Sequence, residues 1–184
     1  LGPLQVEEQG RTLALGAPKQ RALLALLLLT PNRPVSVDRL IDALWGEQLP
    51  GQAANALQYH VSQLRKLLGG DEVVVTRDPG YLIRVEPQEL DLLRFERLVK
   101  AAREKPEAVT IAGSGTNTAN HVAQVRLDRE QNIRTTYVPF KGTGDLVSSV
   151  LGGHVAAAMS YSTLAIQQKG KMRMLAVATE QRLP

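Results

Sequence analysis

The sequence predicts an α+β domain followed by an α/β segment with parallel strands, and three observations carry that reading. Three helical patterns between Pro18 and Leu68 lead into two short β-type runs, Val73 to Thr76 and Tyr81 to Val85, joined by the turn Asp78-Pro79-Gly80. From Val109 onward β-type runs alternate with helical ones, the order that parallel pairing through crossover helices requires. The change of texture falls at Glu104-Lys105-Pro106.

Each element follows in turn. Leu4 to Leu15 alternates weakly about Gln9-Gly10 and reads as a short hairpin or a pair of edge strands. Pro18 suits the first turn of a helix reaching about Thr30, which Pro31-Asn32-Arg33-Pro34 breaks. Ser36 is placed to cap a second helix through Trp45, with Gly46 as its stop. After the loop Leu49-Pro50-Gly51 comes a third helix, Ala53 to Leu68, ended by Gly69-Gly70. At about 100° per residue Leu57, Val61, Leu64 and Leu68 share one stripe, while Asn55, Tyr59, Ser62 and Lys66 point the other way. A helix with a core edge and a polar edge, followed by a hairpin, is the DNA-reading half of a winged helix-turn-helix.

Asp91 to Arg103 is helical by pattern, with Leu92, Phe95, Leu98, Val99 and Ala102 at three- and four-residue steps. Then come a strand at Val109 to Ala112, a helix to about Glu130, a strand at Thr135 to Val138 and a turn from Pro139 to Gly144. A helix from Asp145 to Leu151, a strand from His154 to Met159, a helix near Thr163 to Gln168 and a strand from Met172 to Ala178 complete the pattern. The domain boundaries expected are 1–88 for the winged helix, 89–105 for one helix with a linker, and 106–184 for the α/β segment.

With 184 residues, 43% of them hydrophobic, the chain can build one ordinary core or two small ones, and at 4% aromatic the packing must be aliphatic. The formal charge of +4 suits a polyanion without locating it, since residues 1–103 carry +1 and residues 104–184 carry +3. Without cysteine, neither disulfides nor thiolate metal sites exist. The longest apolar run, Ala22 to Leu29, is far below the ~20 residues of a membrane span, and no basic leader opens the sequence. A cytoplasmic protein with no membrane partner is the expectation.

The chemistry legible in the residues is recognition. Asn55, Gln58, Tyr59 and Ser62 offer donors and acceptors to base edges, with Asn suited to adenine. Lys66 offers phosphate charge, Arg65 on the shoulder of the stripe is the preferred phosphate clamp, and Arg77 at the wing tip suits the minor groove. Arg84 lies within a strand, and His60, Leu44 and Trp45 read as packing residues. In the second half, Ser114, Gly115 and Thr116 after a strand, with Lys141, Gly142 and Thr143 after the next, read either as tight βα turns or as a cradle for a carboxylate. Walker spacing is absent, Ser114 has no nucleophile-elbow pattern, and His121 and His154 lack ligand spacing, so neither catalytic residues, metal nor cofactor is expected.

Two resemblances sharpen this. Pro18-Lys19-Gln20-Arg21-Ala22-Leu23-Leu24-Ala25-Leu26-Leu27-Leu28, Leu40-Ile41-Asp42-Ala43-Leu44-Trp45-Gly46, Leu57-Gln58-Tyr59-His60-Val61-Ser62-Gln63-Leu64-Arg65-Lys66 and Gly80-Tyr81 lie in order across residues 4–103. They resemble the Streptomyces antibiotic regulatory protein (SARP) family with its OmpR-type winged helix. That resemblance implies double-stranded DNA at direct-repeat sites as the partner, transcriptional regulation, and RNA polymerase contact through the loop Glu47 to Gln52. In that family a helical bacterial transcriptional activator domain follows, and Leu90-Asp91-Leu92 with Phe95-Glu96 resembles its opening helix, the rest of that domain being absent from the sequence.

Residues 106–184 resemble the solute receptors of tripartite tricarboxylate transporters. The carriers are Ser114-Gly115-Thr116 with Ala119-Asn120-His121, Val138-Pro139-Phe140-Lys141-Gly142, Leu151-Gly152-Gly153-His154-Val155 and Gly170-Lys171-Met172-Arg173-Met174-Leu175-Ala176-Val177. This implies part of one periplasmic-binding-protein-like lobe and a small carboxylate as ligand. Sequence-specific DNA binding is the function expected; a small-carboxylate module or a ligand-sensing fusion is the alternative.

Overall fold

The computed structural model describes residues 4–8, 11–168 and 170–177 and divides the chain into two compact units, Pro3–Glu86 and Pro87–Pro184. In the first, β1 (Glu7–Glu8) and β2 (Arg11–Thr12) pair antiparallel, as expected of the opening segment. Their expected turn at Gln9-Gly10 lies outside the described residues. Helix α1 (Pro18–Leu29) starts on Pro18 at its first turn, and the Gln20 side chain accepts a hydrogen bond from the Ala17 N–H at 2.7 Å. Helix α2 (Val37–Trp45) is capped by Ser36, whose hydroxyl accepts from the Arg39 N–H, and stops at Gly46 with φ +53°. Helix α3 (Ala53–Leu68) ends on Gly69, left-handed at φ +96°.

The wing differs from expectation by a strand. Between α1 and α2 lies β3 (Val35–Ser36), which pairs antiparallel with β5 (Gly80–Ile83), and β5 pairs with β4 (Val74–Arg77), so the sheet order is β3-β5-β4. Two residues are too few to show alternation, which is why β3 is invisible in the sequence. Gly80 permits this third strand. A Cβ there would lie 2.1 Å from the Val35 carbonyl oxygen, closer than any side chain allows. Asn32, at φ +61°, ties the same region together: its amide donates to the Val85 carbonyl at 2.9 Å and accepts from the Val85 N–H at 3.0 Å. One core unites Leu23, Leu24 and Leu27 of α1 with Leu40 and Leu44 of α2, Leu57, Val61 and Leu64 of α3, and Val74, Tyr81 and Ile83 of the wing.

The second unit opens with α4 (Asp91–Glu104) and continues β6 (Thr110–Ser114), α5 (Ala119–Gln131), β7 (Thr136–Phe140), α6 (Thr143–Leu151), β8 (Ala157–Ala158) and α7 (Ser162–Gln167). The strands are parallel in the order β7-β6-β8. The chain leaves β6 in one lateral direction to make β7 and then crosses back over it to make β8. Right-handed crossovers in opposite directions put their helices on opposite faces. The packing agrees: Ile111 of β6 joins a cluster with Leu127 of α5, while its neighbour Ala112 joins one with Leu146 of α6 and Leu164 of α7.

The helix expected at Asp91 to Arg103 is α4, whose Val99 and Ala102 are buried in one cluster with Ile111 and Ile133, and the two units divide between Glu86 and Pro87. Three expectations are corrected here. The strand expected at His154 to Met159 shrinks to two residues. The strand expected at Met172 to Ala178 does not form over residues 173–177, and Ala178 lies outside the described residues. A ladder needs a partner edge, and a two-residue β8 offers almost none. Finally, Pro139 belongs to β7 rather than to a turn, a position open to proline because β7 is an edge strand.

Candidate nucleic-acid interface

Burial of Leu57, Val61 and Leu64 fixes the rotation of α3, and its opposite face is left to solvent. Asn55, Gln58, Tyr59, Ser62 and Lys66 are all exposed on it, Tyr59 by 60%. Arg65 and Lys66 stand in the last turn, where cationic side chains complement the helix dipole. Arg77 ends β4 at the wing tip and is exposed. The predicted set thus divides into one helix face and one wing-tip cation, both carried by the first unit.

Two members of the set have partners inside the fold. The Asn55 amide donates to the Gln52 side chain at 2.6 Å, in the first turn of α3. The Arg65 guanidinium is more fully engaged. Its Nε lies 2.8 Å from the Val74 carbonyl oxygen and 2.9 Å from Asp71 Oδ1, its Nη2 donates to Thr76 Oγ1 at 2.7 Å, and its plane lies 6.0 Å from the centre of the Tyr81 ring. Sequence spacing put Arg65 on the shoulder of the helix. It could not show that the wing folds back against that shoulder.

Behind the exposed face is an aromatic stack. His60 lies between Trp45, 6.0 Å away between ring centres, and Tyr59, 5.5 Å away edge-on. Lys19 donates to the Leu44 carbonyl and sits 5.7 Å from the centre of the Trp45 ring. Burial, reinforced by the Lys19 charge, lowers the His60 pKa below its ordinary value and favours neutral imidazole. This agrees with the packing role read for His60 and Trp45 in the sequence.

In the second unit, the six residues read as a carboxylate cradle come together at the carboxyl edge of the sheet. Ser114 ends β6 with Gly115 and Thr116 following it, and Lys141, Gly142 and Thr143 follow β7; the Gly115 N–H bonded to the Phe140 carbonyl at 3.1 Å ties the two segments. Open parallel sheets bind ligands at such an edge. Much of the loop's polar capacity is turned inward, however. The Asn117 N–H donates to His121 Nδ1, the His121 N–H to Thr118 Oγ1, and the buried Asn120 amide to Ser114 Oγ. His121 also stacks on Tyr137 at 4.4 Å, and a Cβ on Gly113 would collide with the Tyr137 hydroxyl, so that glycine serves packing.

Comparison with known proteins gives two family matches, which overlap over residues 75–83. Residues 10–83 match the family described as transcriptional regulatory protein, C terminal, and residues 75–184 match the tripartite tricarboxylate transporter family receptor. Regulatory protein AfsR of Streptomyces coelicolor is 45% identical over 109 residues, 59% of this chain and 11% of that protein. Transcriptional regulatory protein EmbR of Mycobacterium tuberculosis is 42% identical over 120 residues, 62% of this chain and 29% of that one. Transcriptional regulator RedD of Streptomyces coelicolor is 36% identical over 108 residues, 54% and 30% respectively. A solved structure of Mycobacterium tuberculosis EmbR in complex with a low-affinity phosphopeptide superposes with a TM-score of 0.54 at 43% identity, covering 56% of this chain and 29% of that one. The chain therefore spans a third or less of the length of these relatives. Among the described residues no helix is long and apolar enough to cross a membrane. Over residues 75–184, more than half of its length, the chain belongs to the tripartite tricarboxylate transporter receptor family, and over residues 10–83 it carries a region similar to the OmpR-type winged helix of SARP-family regulators such as AfsR and EmbR.

Proposed function

We propose that this chain binds duplex DNA sequence-specifically as part of a transcriptional regulator. In this reading α3 lies in the major groove and the wing rests on the backbone or in the minor groove. The observation that carries it is the exposure of Asn55, Gln58, Tyr59, Ser62 and Lys66 on one face of a helix whose other face is locked into the core. Asn55 and Gln58 supply amides for adenine, Tyr59 and Ser62 adaptable contacts, and Lys66 and Arg77 the phosphate or minor-groove charge. Direct-repeat half-sites belong to the same reading, as does polymerase contact through the loop Glu47 to Gln52, where Leu49 is largely exposed. The regulatory names of the relatives favour a binding role over catalysis.

The test is enrichment of duplexes from a randomised pool by the full chain, followed by titration of an enriched duplex across a salt series. Lys66→Ala should weaken binding to every sequence and flatten the salt slope by about one unit. An enriched pool with no common sequence, or variants that bind like the wild type at every salt concentration, would remove the proposed reading face.

A further inference from the structure

We propose that Arg65 is the positioning residue of this interface: it sets the wing against α3 so that Arg77 and the exposed helix face meet one duplex together. The inference rests on the DNA-binding reading above and gives Arg65 a different role from the phosphate clamp its place in the sequence suggests.

The strand pattern shows what Arg65 holds. The Arg84 N–H donates to the Val73 carbonyl, so the odd-numbered residues of this strand bond toward β5, and Val74 and Thr76 turn their backbone groups to the open edge. Arg65 closes that edge. Its fork takes the Val74 carbonyl and the Thr76 hydroxyl at once, and Asp71, between the helix and the strand, forms an ion pair with the same guanidinium. Among the described residues, both side-chain hydrogen bonds that join α3 to β4 come from Arg65. Arg77 is the next residue along the strand, so the tie ends one step short of the wing-tip cation.

A phosphate contact would have to break this arrangement. Releasing the guanidinium leaves the Val74 carbonyl without its partner, and Lys66, the adjacent residue, already presents an exposed charge in the same turn. The planar fork also explains the residue type, since a lysine ammonium cannot span a carbonyl and a hydroxyl two residues apart in the same fixed geometry.

The experiment is a double-mutant cycle on the full chain, using a duplex enriched by the wild type. Arg65→Lys retains the charge and loses the fork. It should reduce affinity about tenfold and speed amide exchange in β4. Arg77→Ala should cost several-fold in the wild type and almost nothing further in Arg65→Lys, because a wing already out of place cannot use Arg77. If the two losses simply add, or if Arg65→Lys binds and exchanges like the wild type, Arg65 acts independently and the proposal falls. Should Arg65→Lys unfold the unit, Thr76→Val replaces it in the cycle, since it removes one acceptor and leaves every charge; additivity there is equally fatal. A wild type that binds no duplex defeats the DNA-binding reading and this inference with it, whereas a wild type that binds with additive losses defeats this inference alone.

Discussion

The two halves of the chain spend their polar side chains in opposite ways. On α3 the polar groups opposite the core stand largely free, because three buried aliphatics already determine how the helix sits. At the carboxyl edge of the parallel sheet, the polar groups of the Ser114–Thr118 loop bond mainly to one another, through Asn120, His121 and Thr118. Both patterns look equally site-like in sequence. The first is a surface with spare hydrogen-bonding capacity; the second is a loop that has used most of its own.

The largest effect expected from this contrast is on stability. Leu64 is 1% exposed at the centre of the first core, and Leu64→Ala should cost roughly 2–5 kcal/mol. Differential scanning calorimetry should show the transition of the first unit falling while that of the second stays in place; a shift of both would break the division into independent cores. Next comes specificity: Asn55→Ala should lose ~1–3 kcal/mol of discrimination at one base step and leave the salt slope unchanged. Binding to a panel of single-base operator variants measures it, and uniform weakening across the panel would show that Asn55 serves only its side-chain bond to Gln52.

Smaller effects sharpen the same comparison. Asn32→Ala removes both side-chain bonds to Val85 from a left-handed position, and about 1–2 kcal/mol of the first unit's stability should go with them, read from urea midpoints. His60 adds a pH dependence to the same unit. Its folded pKa lies below the ordinary value of 6.5, so the unfolded chain takes up the proton first as pH falls, and the native state loses stability below about 6.5. Above that value both states hold neutral imidazole and the effect vanishes. His60→Phe should abolish this slope in melts recorded against pH, and an undiminished slope would assign it to other groups.

The smallest effect belongs to the carboxylate loops. With several donors of the Ser114–Thr118 segment engaged within it and the site open to solvent, small dicarboxylates should bind the monomer no better than about millimolar, ~4 kcal/mol. Sub-millimolar ligand should therefore leave the melting of the second unit unmoved. A micromolar constant by calorimetry would show that the loop rearranges to bind, and would raise carboxylate sensing above the present reading of this half.

What the sequence determined by itself is the local order. The spacing of Leu57, Val61 and Leu64 set both the existence of α3 and its free face, Ser36 and Gly46 bounded α2, and the βαβ alternation after residue 109 implied parallel strands. These are signals carried by neighbours within a turn or two, where periodicity and capping act directly. Tertiary structure decided the rest. It recruited Val35–Ser36 into the wing across Gly80 and packed α4 onto the second core. It also closed the Arg65 fork on Val74 and Thr76 and turned the Ser114 loop inward. Each of these depends on a contact between segments whose approach is set by the whole core, and the spacing of residues along the chain carries no record of it.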